Sequence, residues 1–142
     1  MTGGLVRNNV IVAGHFGGIE IIRTRNTVVC HNSVWSTNTR EEAVAFFQKT
    51  ENARFFNNLI HGYVHKTGDV EQAGNIIGDL TGLFVNPEIG DLRLTSAAAD
   101  RLGPVDSLGL PIAPDDFAGR RRTARPTPGA FEWKPIGQDA QP

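Results

Sequence analysis

The chain has one cysteine, Cys30, so no intramolecular disulfide can hold it together. No apolar run approaches the roughly 18 residues that a membrane-crossing helix needs, and no membrane span is expected. Charge of one sign is also missing: the formal net charge is −1 over 142 residues. That leaves no general electrostatic pull toward nucleic acid, and no nucleic-acid partner is expected. The opening residues, Met1-Thr2-Gly3-Gly4-Leu5-Val6-Arg7, lack the charged region and apolar stretch of a signal peptide. Apolar residues are few, at 39 %, whereas glycines are many, at 16. Both suit a turn-rich chain of short elements better than a helical bundle, and the length suits one small domain.

What is present is a repeat. Gly18 to Val34 holds short runs of alternating small or apolar residues, broken by polar asparagine turns, and Val44 to Ile60 nearly copies it. Alternation of period two marks strands with one buried face. Strands this short, with no helix between them, cannot form a parallel sheet through helical crossovers. Repetition at such a period is the mark of a solenoid. Asn9, Asn32, Asn58 and Asn75 fall in one column, at spacings of 23, 26 and 17. Asn8, His31, Asn57 and Gly74 precede them. Ile11, Val34, Ile60 and Ile77 follow two residues later, and Val6, Val29, Phe55 and Gln72 stand three residues before. A second turn column holds Asn26, Asn52 and Asp69. Asparagine tolerates the left-handed backbone of a tight turn, and stacked asparagines can hydrogen-bond from one coil to the next. The apolar columns stack into one core, each coil burying its inward residues against its neighbours.

In chain order, 1–4 reads as a tail. Coil one is half present, with Leu5–Arg7, an Asn8-Asn9 turn and Val10–Val12. Coil two spans about 17–35, a polar loop runs from Ser36 to Glu42, and coil three spans 43–61. Coil four is shorter, with Tyr63–Lys66, a turn at Thr67-Gly68-Asp69, and Ile76-Ile77. Gln72 in an inward column implies a tapering core. Leu83–Val85 and Leu92–Leu94 should pair across Pro87 and Gly90-Asp91. Thr95–Leu102 should hold a helical turn or two, with Ser96 as N-cap and Gly103-Pro104 as the stop. The remainder is proline-rich, carries the basic run Arg120-Arg121-Arg122, and should lie along the solenoid against carboxylates of the body. Ala130–Trp133 should dock and 134–142 should fray.

Gly18-Ile19-Glu20-Ile21, Asn26 and His31-Asn32-Ser33-Val34, with their repeats, resemble a coil of the right-handed parallel β-helix of pectate-lyase-like proteins. Leu83-Phe84-Val85-Asn86-Pro87 through Gly90-Asp91-Leu92-Arg93-Leu94-Thr95 resembles their LFVDP…GDFRL closing motif. Asp116-Phe117-Ala118-Gly119-Arg120, then Pro128-Gly129-Ala130-Phe131-Glu132, resembles their terminal D.G..R…GAFE motif. The resemblance covers about residues 5–133. It implies an all-β fold, a short right-handed parallel β-helix of about four coils with an extended C-terminal arm. Coils and closing strands would occupy 1–103, and the Pro/Arg-rich arm 104–142. Proteins of this family are often extracellular or periplasmic, although this chain shows no signal peptide. The family's N-terminal capping helix has no counterpart in this sequence.

The family register puts Ile19, Ile21, Ala45, Phe47, Gly62 and Val64 inward. Glu20, Phe46 and Tyr63 then form one outward column, Ile22, Gln48 and His65 the next, and Arg23, Lys49 and Lys66 a cationic turn column. In the resembled enzymes polysaccharide lies along such a face. Three cations one strand apart suit an acidic polysaccharide, and Tyr63 and Phe46 suit stacking on sugar rings. In uronate lyases a Lys or Arg acts as base while cations neutralise the substrate carboxylate. The plainer reading is that turn lysines and arginines keep the surface soluble. Glu20 stands alone among outward strand positions, so no calcium site of the lyase type and no cofactor are expected. No aspartate cluster of the hydrolase type appears in the coils. The histidines, His15, His31, His61 and His65, do not fit a zinc motif. His31 belongs with the asparagine turn, and its neighbour Cys30 points elsewhere, so no Cys–His dyad is expected.

The reading is therefore a carbohydrate-associated module that binds acidic polysaccharide on its outer strand face, without a complete recognisable active site. The alternatives are a polysaccharide lyase using Lys49, Lys66 or Arg23, and a structural or assembly module. Val44, Phe46, Phe56 and Leu59 count as outward apolar residues in this register. Together with the uncapped first coil they imply a homo-oligomer, a twofold dimer by preference.

Overall fold

A computed structural model of the chain describes residues 1–15, 17–106 and 110–133. β1 (Leu5–Arg7), β2 (Val10–Ala13) and β3 (Ile19–Ile21) form a first set of strands. β4 (Val28–Cys30), β5 (Ser33–Ser36) and β6 (Glu42–Phe46) repeat it, as do β7 (Ala53–Phe56), β8 (Leu59–His61) and β9 (Tyr63–Lys66). β10 (Val70–Ala73) and β11 (Ile76–Gly78) follow. Each strand pairs in parallel with its counterpart in the next set. The result is three stacked sheets, β1-β4-β7-β10, β2-β5-β8-β11 and β3-β6-β9. The protein is all-β with parallel sheets, compatible with a β-helix-like solenoid. Among the described residues no helix is long and apolar enough to cross a membrane.

The asparagine columns explain the bends. Two residues separate β1 from β2, β4 from β5, β7 from β8 and β10 from β11. The first of each pair, Asn8, His31, Asn57 or Gly74, is left-handed, with φ of 53°, 51°, 57° and 66°. The second is the ladder asparagine. Asn9 donates from its backbone N–H (3.0 Å) and its Nδ2 (2.9 Å) to Oδ1 of Asn32. Asn32 does the same to Asn58, both at 2.9 Å, and Asn58 to Asn75 at 3.0 and 2.8 Å. Nδ2 of Asn58 also reaches the carbonyls of Val29 and Phe56. In the second turn column Asn52 Nδ2 donates to Oδ1 of Asn26 at 2.7 Å, and the Asn52 backbone N–H donates to Oδ2 of Asp69 at 3.0 Å.

Inside, Val29 lies in register with Phe55, and Val34 with Ile60, all fully buried. Gln72 continues the Phe55 column but is exposed, so the core ends there in a polar side chain. In the third sheet the observed register corrects the expected one. Ile19 pairs with Val44 and Ile21 with Phe46, so Val44 and Phe46 point inward. Ala45 shares the outward column of Glu20 and His65, and Phe47 is half-buried on the outer side against His65, with ring centroids 5.7 Å apart. Alternation cannot choose between two faces one residue apart, and a one-residue slip exchanges them. Volume decides here: the Phe46 ring meets Phe55 edge-on at 5.2 Å and fills the centre of the core.

The other expected outward apolar residues are buried as well. Phe56 is covered by Ala113 and Ile112. Leu59 and Trp35 are covered by the closing segment. That segment comprises β12 (Phe84–Asn86) and β13 (Asp91–Leu94), an antiparallel pair joined by a short 3-10 turn at Pro87–Ile89, then α1 (Ala97–Arg101). Ser96 precedes α1 but makes no side-chain cap. The side-by-side interface through Phe46 or Phe56 therefore does not exist as a surface. The apolar surface that remains at the other end includes Leu5 and Val12, on the edge strands β1 and β2, together with Met1 and Ile22.

The C-terminal stretch lies across the left-handed bends. Asn8 Nδ2 donates to the Asp115 carbonyl (2.6 Å), Asn57 Nδ2 to that of Asp106 (3.0 Å), and Arg7 to that of Ile112. Gly129 N–H donates to the Asn57 carbonyl at 2.8 Å, and a Cβ on Gly129 would stand 2.7 Å from Leu59 Cδ1, so only glycine fits. The basic run corrects another expectation, because Arg122 pairs within the arm and not with a carboxylate of the body. It is buried 3.3 Å from Glu132, and it donates to Asn8 Oδ1 and to the carbonyls of Gly129 and Ala130. Asp116 accepts from the N–H groups of Ala118, Arg120 and Glu132. The two halves of the terminal motif thus hold each other. The expected fraying of 134–142 lies outside the described residues.

Two outcomes follow for stability. Phe55→Ala should cost about 3–5 kcal/mol in urea unfolding, the range for emptying a closed core of one large aromatic; a loss below about 1 kcal/mol would contradict the register. His31 is fully buried beneath the arm, and burial, followed by the charge of Arg122, pushes its imidazole down to about 3. The unfolded imidazole takes a proton near pH 6.5, and the folded one only near 3. Its contribution is therefore complete above about 6.5 and falls as pH drops toward 3. Between pH 7 and 5 this one site should remove on the order of 2 kcal/mol. His31→Asn, which keeps a residue tolerant of the left-handed bend, should flatten that slope in urea titrations.

Candidate functional site

Two of the three outer sheet faces are taken. The arm sits on Phe56 and Cys30 of the β1-β4-β7-β10 sheet, and the closing segment sits on Trp35 and Leu59 of the β2-β5-β8-β11 sheet. The outer face of β3-β6-β9 is where the expected site residues fall. Glu20 and His65 share one outward column with Ala45 between them. Glu20 is exposed and His65 half-buried. Phe46 is 0 % exposed and cannot offer its ring to a ligand, which corrects its expected role. Arg23 and Lys49 occupy the bend after β3 and after β6, both left-handed, with φ of 52° and 64°, and both exposed. Lys66 is exposed at the end of β9, in register with Phe46 and not with the bend. Arg23 and Lys49 thus hold corresponding left-handed positions in the bends after β3 and β6, whereas Lys66 closes β9 in the column of Ile21 and Phe46.

Tyr63 lies at the opposite end of the face. It opens β9, in register with Glu42. Its ring is 39 % exposed, and it borders an open pocket of about 430 Å³ lined by Thr39, His61, Gly62, Gly78, Asp79 and Thr81. His61 was not singled out from the sequence. It ends β8 in register with Trp35, and the two rings stack at 3.7 Å and 10°. Its Nδ1 accepts the Leu80 N–H at 3.0 Å, which leaves the proton of the neutral ring on Nε2. Burial lowers its pKa, against the pull of Asp79 and Glu88, so the ring is neutral at pH 7. Gly62 and Gly78 form the pocket's backbone, joined by Gly62 N–H to the Gly78 carbonyl at 3.1 Å. Gly78 has φ 138°, and the space where its Cβ would sit is empty, so a glycine both permits the bend and keeps the pocket open.

Asp79 is exposed. Its Oδ1 accepts the Thr81 N–H at 2.9 Å, and these Thr81 bonds hold its carboxyl below the usual range. Arg101 braces the same loop, donating to the carbonyls of Thr81 (2.8 Å) and Asp79 (3.2 Å). The Tyr63 phenol is pushed up, by desolvation first and then by Glu42, with which it hydrogen-bonds. The sequence signal for this pocket was the Trp35–His61 column and the glycines that follow β8 and close β11. Cys30, by contrast, is fully buried, and burial lifts its thiol to about 11. It carries no nucleophile at neutral pH. Among the described residues no three His, Cys, Asp or Glu side chains gather in a metal-holding group.

No protein-family model, no curated protein and no solved structure matches the chain. The fold itself defines the class: an all-β protein of stacked parallel sheets, with one outer face carrying cations at one end and a pocket at the other.

Tyr63 is the one tyrosine of the chain, so phenolate absorbance reports it alone. It should titrate above the free value of about 10. Glu42→Gln should bring it down, and an unchanged titration would show that Glu42 does not act on the phenol.

Proposed function

We propose that this chain is a carbohydrate-binding module built as a right-handed parallel β-helix of about four coils, similar to pectate-lyase-like proteins, and that acidic polysaccharide lies along its β3-β6-β9 face. One observation carries the reading: the described closing segments pack on the other two outer faces, while the bends after β3 and β6 at the end of this face expose Arg23 and Lys49. Strands in register are about 4.8 Å apart, so two exposed cations at one bend can meet acidic groups along a single sugar chain. Among the described residues neither cation is taken up by an ion pair with a carboxylate. Lys66 adds a third positive charge at the end of β9. The bend is open to water, which suits reversible binding better than proton abstraction by a shielded base.

Arg23→Asn with Lys49→Asn keeps residues that accept a left-handed backbone and removes both charges. The folded double variant should lose the salt-sensitive retention of the parent on immobilised polygalacturonate, by at least about tenfold in affinity, since each charged contact contributes on the order of 1 kcal/mol. Retention equal to the parent's would remove this bend from the binding surface.

A further inference from the structure

The pocket beside Tyr63 and the bend at Arg23 and Lys49 lie at opposite ends of the same strands and carry opposite charge. β9 has Tyr63 at its start and Lys66 at its end. An acidic sugar suited to the bend is therefore unsuited to the pocket. Asp79 lines the pocket with an exposed carboxylate, Glu42 stands on the Tyr63 hydroxyl, and Glu41 and Glu88 face the same groups from the neighbouring loops. The guanidinium of Arg101 is held by the backbone carbonyls of Thr81 and Asp79. His61 adds an uncharged ring, fixed from one side by Trp35 and from the other by the Leu80 N–H. Thr39 and Thr81 add hydroxyls, and Tyr63 adds a half-exposed aromatic ring. Its volume of about 430 Å³ falls within the range of small-molecule sites.

We propose that this pocket is a separate subsite for a saccharide unit bearing a protonated amine, with Asp79 as the partner of the amine and Tyr63 as the platform for the sugar ring. A uronate would bring a second anion into a space already bordered by carboxylates and is excluded. A neutral sugar keeps the ring stacking and the hydroxyl contacts but lacks the charge pairing, so it binds more weakly. An aromatic face next to a carboxylate also favours a cation directly, because the ring's own electron density adds to the attraction. The subsite rests on the reading of the β3-β6-β9 face as a saccharide surface, but its ligand differs from that of the bend.

Amide resonances of Gly62, Gly78 and Thr81 report the pocket in two-dimensional NMR. The probes are glucosamine oligomers with free amines, glucose oligomers and galacturonate oligomers. The glucosamine oligomer should shift these amides saturably, and the glucose oligomer should do so with about fivefold weaker affinity, a difference typical of one exposed charged contact. Asp79→Asn should remove that preference, Tyr63→Ala should remove binding of both, and Glu71→Gln, an exposed carboxylate on β10, should change nothing. Galacturonate shifting the pocket amides as strongly as glucosamine, or Asp79→Asn leaving affinity unchanged, would overturn the assignment. Silence of these amides to every probe, while galacturonate still binds at Arg23 and Lys49, would sink the subsite alone; loss of both would sink the saccharide surface with it.

Discussion

The asparagine ladder is the interaction on which the remaining structure depends. The ladder oxygens of Asn32, Asn58 and Asn75 each accept two N–H groups from the asparagine of the set before, one from backbone and one from side chain. The strands themselves are only three to five residues long, and sheets of such short strands hold poorly on their own. The ladder offsets this by fixing the corner between the first and second sheets in every set. A buried amide left without its partners would cost about 1–3 kcal/mol, so each asparagine enforces the register of the next. The left-handed residue before it turns the chain in two residues. With that corner set, the inward columns have nowhere to go but onto each other.

Closure is a separate problem with a separate solution. A stack of sheets has outer faces as well as an inner core, and three of the larger apolar side chains here point outward: Trp35, Phe56 and Leu59. The segments after β11 cover them. The hairpin and short helix take Trp35 and Leu59, and the arm takes Phe56. Arg122 ties the arm to Asn8 on the first bend and to Glu132 on its own far side, so the cover is latched across the length of the chain. A buried ion pair contributes specificity more readily than net stability, and here it sets where the arm ends. The third sheet receives no such cover from the described residues, and its surface mixes charged side chains with the exposed Ile22 and Tyr63.

That division assigns chemistry by geometry. The face left open has cations at its bend and carboxylates around its pocket, although the chain as a whole is nearly neutral. A net charge of −1 says nothing about two oppositely charged sites one strand length apart. Only the packing of the His61 loop against Trp35 and of Thr39 near Tyr63 creates the pocket, from segments that lie far apart in the chain.

The repeat columns were readable because a solenoid places equivalent residues at equivalent bends, and those bends admit few residue types. Asn9, Asn32, Asn58 and Asn75 could be aligned from the chain alone, as could the Val34–Ile60 and Val29–Phe55 columns, the hairpin after Leu83 and the helical turn before Gly103. The third sheet resisted, because its segments carry no ladder asparagine. Between Val44, Ala45, Phe46 and Phe47 every residue is small or apolar, so alternation leaves two registers open, and only the space beside Phe55 chooses Phe46 for the core. The same choice decided which aromatic faces water: Tyr63 does and Phe46 does not. Amino-acid order therefore determined the bends and the columns, since these follow from local backbone preference. Tertiary structure decided the inward face of the third sheet, the burial of Arg122 and the existence of the pocket, because each depends on volume and charge brought together from distant parts of the chain.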